Sequence, residues 1–230
     1  MTVRRAATVA PYLVGITGGS GSGKTTLTRA LVDALGPDRV ASLASDAYYR
    51  DRTDLSPAAR AELNYDLPEA LDRELLVGHL RALRAGHPVC PPAYCFETHR
   101  RVGIAPAVDP RDLVVVEGIL LLHDPEVRSL LDFSIYLDAP PTVRLGRRMA
   151  RDTAERGRSA AAVLRQYAAS VAPAHAAYVE PTKRVADLVL RNLGAPSAVA
   201  EIAGTMIRSR LARGITPRAP ERQRVSSCRS

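Results

Sequence analysis

The sequence predicts an α/β fold: a five-stranded parallel sheet flanked by helices, with a small inserted β-hairpin and a helical lid. Three observations predict it. Short apolar, β-branched or leucine-rich runs alternate with helical patterns along the chain. The glycine-rich stretch Gly18 to Thr26, Gly-Gly-Ser-Gly-Ser-Gly-Lys-Thr-Thr, joins the first apolar run to the first helical pattern. Residues 88–104, with prolines and short apolar pieces, break the rhythm and predict a hairpin beside the sheet. With 230 residues and 46% hydrophobic content the chain can bury one core of its own. The expected organisation is a disordered start over 1–10, one domain over 11–212 with its hairpin at about 88–104 and lid at about 144–175, and a basic disordered tail over 213–230.

The strands are expected at Tyr12 to Thr17, Val40 to Ala44, Leu113 to Val116, Phe133 to Leu137 and Ala186 to Leu190. Between them helical patterns run over Lys24 to Leu35, Glu69 to Ala85, Pro125 to Leu131, Pro141 to Glu155, Ala160 to Ala172 and Ser197 to Ala212. Such alternation places ligands at the carboxyl ends of the strands. The first of those ends is Gly18 to Thr26, a Gly-x-x-x-x-Gly-Lys-Thr pattern that enters from a strand and leaves as a helix. It is the phosphate loop of the P-loop NTPase fold. Gly18, Gly19, Ser20, Gly21, Ser22, Gly23, Lys24, Thr25 and Thr26 are therefore expected to bind ATP. Glycines let successive N–H groups converge on phosphate oxygens, and the helix N-terminus adds its positive dipole end. Lys24 is expected on the β- and γ-phosphates and the Thr25 hydroxyl on Mg²⁺.

Two further strand ends carry carboxylates, Asp46 after Val40 to Ala44 and Glu117 after Leu113 to Val116. Phosphoryl transfer needs such a pair, one for the metal and one for the acceptor hydroxyl. Tyr48, Tyr49, Tyr65, Tyr94 and Phe96 lie outside the expected core strands, where rings can stack on a planar base. Asp66, His99 and Arg100 are their polar neighbours, as a pocket for a sugar and a base requires.

The formal charge of +8 is concentrated in two places. Five arginines and Glu221 between Arg213 and Ser230 give +4, and six arginines with Asp152 and Glu155 between Arg144 and Arg158 give another +4. No aromatic residue accompanies the tail, so no specific nucleic-acid partner is expected. The central cluster suits a lid that neutralises a transferring phosphoryl group, with Arg144 and Arg147 assigned to a solvated helix face. Cys90, Cys95 and Cys228 have neither disulfide nor zinc spacing. The longest apolar run, Leu113 to Leu122, is interrupted by Glu117 and Gly118, so no membrane span and a cytoplasmic location are expected.

The segments GGSGSGKTT at Gly18, SDAYYRD at Ser45, NYDLPEALD at Asn64, YCFETHRR at Tyr94, VVVEGILLL at Val114, RRMARDTAERGRS at Arg147, VLRQY at Val163 and YVEPTKRVADLVL at Tyr178 together resemble the uridine kinase (uridine-cytidine kinase) family. The resemblance implies ATP-dependent phosphorylation of uridine, and of cytidine, at the 5′-hydroxyl in pyrimidine salvage. By position it implies Asp46 as the base for that hydroxyl, Asp66 on the ribose, and Tyr94 and His99 on the pyrimidine edge with Tyr49, Tyr65 and Phe96 around the ring. It implies Arg148, Arg158 and Gln166 as further nucleoside contacts, Arg151 and Arg156 as lid arginines on the transferring phosphate, and Thr25 with Glu117 as the Mg²⁺ site. Family members are often tetramers regulated by pyrimidine triphosphates, which implies a homo-oligomer. Two positions depart from the pattern: Cys95 where the family usually has Asp, and Leu67 where it has His. Cys95 lies between Tyr94 and Phe96 and is expected to alter hydrogen bonding near the base. The alternatives are another P-loop small-molecule kinase, for a sugar phosphate or pantothenate, and a non-catalytic nucleotide-sensing or nucleic-acid-binding protein.

Overall fold

The computed structural model describes residues 10–194 and 196–212. The expectations for a disordered start and for the basic tail fall on 1–9 and 213–230, outside the described residues. The strands are β1 (Tyr12–Thr17), β2 (Val40–Ala44), β3 (Pro92–Cys95), β4 (Arg100–Ile104), β5 (Leu113–Glu117), β6 (Phe133–Asp138) and β7 (Leu188–Arg191). The helices are α1 (Lys24–Leu35), α2 (Pro57–Ala61), α3 (Arg73–Arg84), α4 (Pro125–Leu130), α5 (Pro141–Glu155), α6 (Ala160–Gln166), α7 (Ala172–Ala174) and α8 (Pro196–Ala212). Five strands form a parallel sheet in the order β2-β5-β1-β6-β7, and β3 pairs antiparallel with β4 as the separate hairpin.

Side chains that alternate along a strand point to opposite faces, and both faces of this sheet are buried. On one face Leu13, Val114 and Val116 join Leu76, Leu80 and Leu83 of α3 and Val127 and Leu130 of α4. On the other, Val14, Ile16, Val115 and Ile135 join Leu27 and Leu31 of α1 and Ala203 and Ile207 of α8. This explains why the strands read as unbroken apolar runs. Each such side chain contributes about 1.5–3 kcal/mol relative to exposure.

Local chemistry moves several boundaries. The expected helix over Glu69 to Ala85 begins at Arg73. Pro68–Ala70 forms a separate 3₁₀ turn, and the Asp72 carboxylate caps α3 by accepting from Leu75 N–H. The expected strand Ala186 to Leu190 is displaced to β7, because the Asp187 carboxylate accepts from both Ser134 N–H and Ser134 Oγ. The expected helix Ala160 to Ala172 is α-helical to Gln166 and then widens into π turns over Tyr167–Val171 and His175–Val179 on either side of α7. Pro173 has no N–H to close an α-helical bond there. Sequence reading missed α2, although Ser56 caps it and Pro57 occupies its first turn.

Candidate active site

Three strand ends converge. β1 leaves the sheet into the phosphate loop, which closes with Ser22 N–H donating to Gly19 O at 3.0 Å. Gly21 has φ +78°, and a Cβ there would overlap the Arg144 carbonyl, so only glycine lets α5 approach the loop. Gly23 caps α1 without a side-chain acceptor, leaving the first N–H groups of that helix for an anion. Lys24 is nearly buried and donates from Nζ to Gly18 O at 3.0 Å and Gly19 O at 3.2 Å. Burial pulls its pKa down, while Glu117 and Asp46 pull it back up.

β5 and β2 bring the two carboxylates together, with Ala44 and Glu117 paired in register. A Cβ at Gly118 would overlap Ser45 Oγ, so glycine allows the β5 end to lie against the turn that carries Asp46. Thr25 Oγ1 donates to Glu117 Oε1 at 2.7 Å. Burial raises the Glu117 carboxyl, against Lys24 and the Thr25 hydrogen bond, which lower it. Asp46 sits in the 3₁₀ turn Ser45–Tyr48, and its Oδ1 is buried with no hydrogen-bond partner.

Two cavities meet at Asp46. The larger, about 730 Å³, is lined by Gly21, Gly23, Lys24, Thr25, Thr26 and Glu117 of the nucleotide side, and by Arg29, Arg147 and Glu155. The smaller, about 50 Å³, is lined by Ser20, Tyr49, Tyr65, Asp66, His99, Ile119, Arg148, Arg158 and Gln166. Asp46, Phe96, Arg151 and Arg156 line both. A phosphoryl group passing from a donor in the larger cavity to a hydroxyl in the smaller would cross where these four residues lie.

The aromatic side chains named from sequence pack against one another. Tyr49 packs edge-on against Tyr65 and Tyr94, Tyr94 against Phe96, and Tyr65 stacks on His99 with centroids 4.5 Å apart. The ring of Tyr94 joins this group, its buried hydroxyl lies beside that of Tyr65, and it lines neither cavity. Burial raises the Asp66 carboxyl, with Arg148 opposing. His99 has φ +53° and is held by Arg158, whose Nη2 lies 3.0 Å from His99 Nε2. Burial first, then Arg158 and Arg156, lower its pKa to about 4. A guanidinium only donates, so Nε2 of this neutral imidazole accepts and Nδ1 carries the proton. That Nδ1 is buried and has no partner.

The arginines expected in a lid come from α5 and the turn after it. Arg148 donates to Ser20 Oγ and Gln166 Oε1, both at 2.9 Å, and Arg158 donates to Gln166 Oε1 at 2.7 Å. Arg156 lies over the Phe96 ring at 4.4 Å, and burial followed by Arg151 lowers its pKa. Arg144 and Arg147, read from sequence as a solvated face, are instead braces of the phosphate loop. Arg144 is 5% exposed and donates from Nε to Ala139 O, and Arg147 Nη1 donates to Ser22 O at 3.4 Å. The reversal arises because α5 runs against the loop, which helical periodicity alone does not reveal.

Cys95 is also corrected. It lines the nucleotide cavity and not the smaller one, because alternate residues of β3 face opposite ways and Tyr94 turns toward the rings. Hydrogen bonds from Thr98 lower its thiol pKa. Asn192 and Ile119 were missed: Asn192 Nδ2 donates to Ser22 O at 2.8 Å, and Ile119 walls the smaller cavity. Only the position of Ile119 just beyond the β5 end could have signalled it.

Two histidines give the fold an acid sensitivity. Burial and Arg144 lower the pKa of His175 to about 4, and His99 sits at the same value, both below the ordinary 6.5. Between 6.5 and about 4 the unfolded chain binds protons that the folded chain does not, so their contribution to stability is lost as pH falls. The raised carboxyls of Asp66 and Glu117 act in the opposite sense, so the test is a difference. His175→Gln is expected to gain stability relative to the unsubstituted protein by about 1–2 kcal/mol between pH 7 and pH 5. Paired melts at the two pH values check this, and a constant gap contradicts it.

The chain is similar to known proteins over this same region. The family described as "Phosphoribulokinase / Uridine kinase family" matches residues 13–197. A protein named uridine kinase from Clostridium perfringens is 45% identical over 180 residues, covering 78% of this chain and 86% of its own. One of the same name from Deinococcus deserti is 42% identical over 201 residues, covering 87% and 97%. Phosphoribulokinase from Rhodobacter spheroides superposes with a TM-score of 0.56 at 18% identity, over 82% of this chain and 74% of that one, which shows a shared fold. The phosphate loop, the two strand-end carboxylates and the arginine cluster of α5 therefore lie in a segment whose ancestry is settled: the chain belongs to the phosphoribulokinase/uridine kinase family.

Proposed function

We propose that the protein transfers the γ-phosphate of ATP to the 5′-hydroxyl of uridine, and of cytidine, acting in pyrimidine salvage. The observation that carries this reading is Asp46, which lines both a phosphate-binding cavity and an aromatic one and has a buried carboxylate oxygen without a hydrogen-bond partner. There Asp46 accepts the hydroxyl proton as the oxygen attacks, while Lys24, Arg151 and Arg156 stabilise charge spreading over the phosphoryl oxygens. Thr25 and Glu117 would hold Mg²⁺: a hydroxyl hydrogen-bonded to a carboxylate whose pKa burial raises. When bound, Mg²⁺ would neutralise phosphate charge.

The unpartnered Nδ1–H of His99, a residue of the smaller cavity, supports a pyrimidine acceptor whose edge would satisfy it; Tyr94 lines neither cavity and would reach the base only once the site opens. Asp66 would hold the ribose hydroxyls. The smaller cavity, at about 50 Å³, is well below the size of a nucleoside site. Admission of uridine therefore parts the Tyr65–His99 stack and moves the lid arginines outward. Cytoplasmic operation and a homo-oligomer belong to the same proposal; among the described residues no helix is long and apolar enough to cross a membrane.

Specificity constants for uridine, cytidine, adenosine and guanosine test the acceptor. Uridine and cytidine are expected to exceed the purine nucleosides by at least about tenfold, the cost of leaving one buried donor unpaired. His99→Ala is expected to erode that preference mainly through KM. Efficient use of adenosine would overturn the pyrimidine assignment and leave the kinase assignment standing.

A further inference from the structure

Asp152 is fully buried in α5 and lines neither cavity, yet four arginines that do line them converge on it. Arg151 donates from Nε to Oδ1 at 2.9 Å, with its Nη2 2.8 Å from the same oxygen. Arg156 Nη1 lies 3.6 Å from Oδ1, and Arg148 Nε and Arg158 Nη1 lie 3.4 and 3.7 Å from Oδ2. The chain beyond α5 folds back over it, with Arg158 N–H donating to Asp152 O at 3.1 Å through a turn in which Gly157 has φ +63°. Without this carboxylate, four like charges would share one small volume and repel. With it, they retain a net surplus of positive charge for the phosphate. Asp152 thereby joins the arginines of the acceptor side, Arg148 and Arg158, to the pair that lines both cavities, Arg151 and Arg156.

We propose that Asp152 is the positioning residue of the lid, one carboxylate that sets the guanidinium groups of Arg151 and Arg156 on the transferring phosphate. This rests on the phosphoryl-transfer reading above. A buried ion pair that only held the lid folded would, when broken, lower stability and disturb nucleotide binding and turnover together. A positioning role separates them, because misplacement by a fraction of an ångström weakens the transition state more than the ground state.

Asp152→Asn, which keeps the shape and removes the charge, is compared with Arg151→Met and the double variant. Asp152→Asn is expected to lower kcat by about 30- to 100-fold, with ADP affinity, read by fluorescent-nucleotide displacement, within about threefold. In the Arg151→Met background the same change should cost less than about fivefold, since the two act as a unit. A kcat within about threefold of the unsubstituted enzyme, or full multiplicativity of the two variants, overturns the proposal. If Asp152→Asn does not fold, Asp152→Glu takes its place: kcat lowered at least about tenfold with ADP affinity kept supports positioning, and unchanged kcat overturns it. Failure of both to fold while Arg151→Met folds assigns Asp152 to folding and also overturns it. ATP hydrolysis without acceptor, measured on the same proteins, is expected to fall in parallel. It reads the arginines without uridine, so a protein that hydrolyses ATP but ignores uridine sinks the acceptor assignment alone.

Discussion

Asp46→Asn is expected to lower uridine phosphorylation by about a hundredfold or more, the range of a lost general base. The side chain keeps its shape and loses only its ability to take a proton. Asp46 Oδ1 is buried without a hydrogen-bond partner, so the amide removes no bond that holds the fold. The change sits at the cavity junction and removes no hydrogen bond to the phosphate loop, so ATP affinity should remain within about threefold. Steady-state kinetics with an equilibrium nucleotide titration separates the two effects. Near-normal turnover by Asp46→Asn would remove it as the base.

Lys24→Ala is expected to reduce kcat by about a hundredfold to a thousandfold, the range for one electrostatic donor in a water-poor site. Lys24 Nζ donates to two loop carbonyls, Gly18 O and Gly19 O, and lines the nucleotide cavity. Its loss removes both the charge and a brace of the loop, so nucleotide affinity should fall as well, unlike Asp46→Asn. A Lys24→Ala enzyme with unchanged kcat would show that the phosphate is held from elsewhere, with Arg29, Arg147, Arg151 and Arg156 the remaining cations of that cavity.

How far the sequence could be read follows from how local each signal is. β1, the phosphate loop and α1 are contiguous, and glycine, lysine and helix periodicity state the same structure in one 24-residue stretch, Tyr12 to Leu35. The parallel sheet was legible because strands buried on both faces are continuous apolar runs. The aromatic segments were legible as unusual, and the resemblance placed them. Arg144 was misread because a helix shows which face it presents only when its partner is known, and the partner here is a turn of backbone more than a hundred residues earlier. Asn192, which reaches Ser22 across 170 positions, carries no local signal at all. Cys95 is different: two-residue alternation in a strand containing Tyr94 already implies the opposite face for its neighbour, and Cys95 lines the nucleotide cavity while Tyr94 packs with the rings. The π turns around Pro173 follow from proline chemistry, but their width depends on packing.

The most direct test of the central claim is the identity of the phosphorylated product. The protein is incubated with ATP and an equimolar mixture of uridine, a sugar phosphate and pantothenate, and the products are resolved by mass and by phosphorus NMR. The account predicts ADP and uridine 5′-monophosphate formed in equal amounts, with the other two acceptors untouched. ADP formed with phosphorylated sugar or phosphorylated pantothenate, and uridine recovered unchanged, would contradict it.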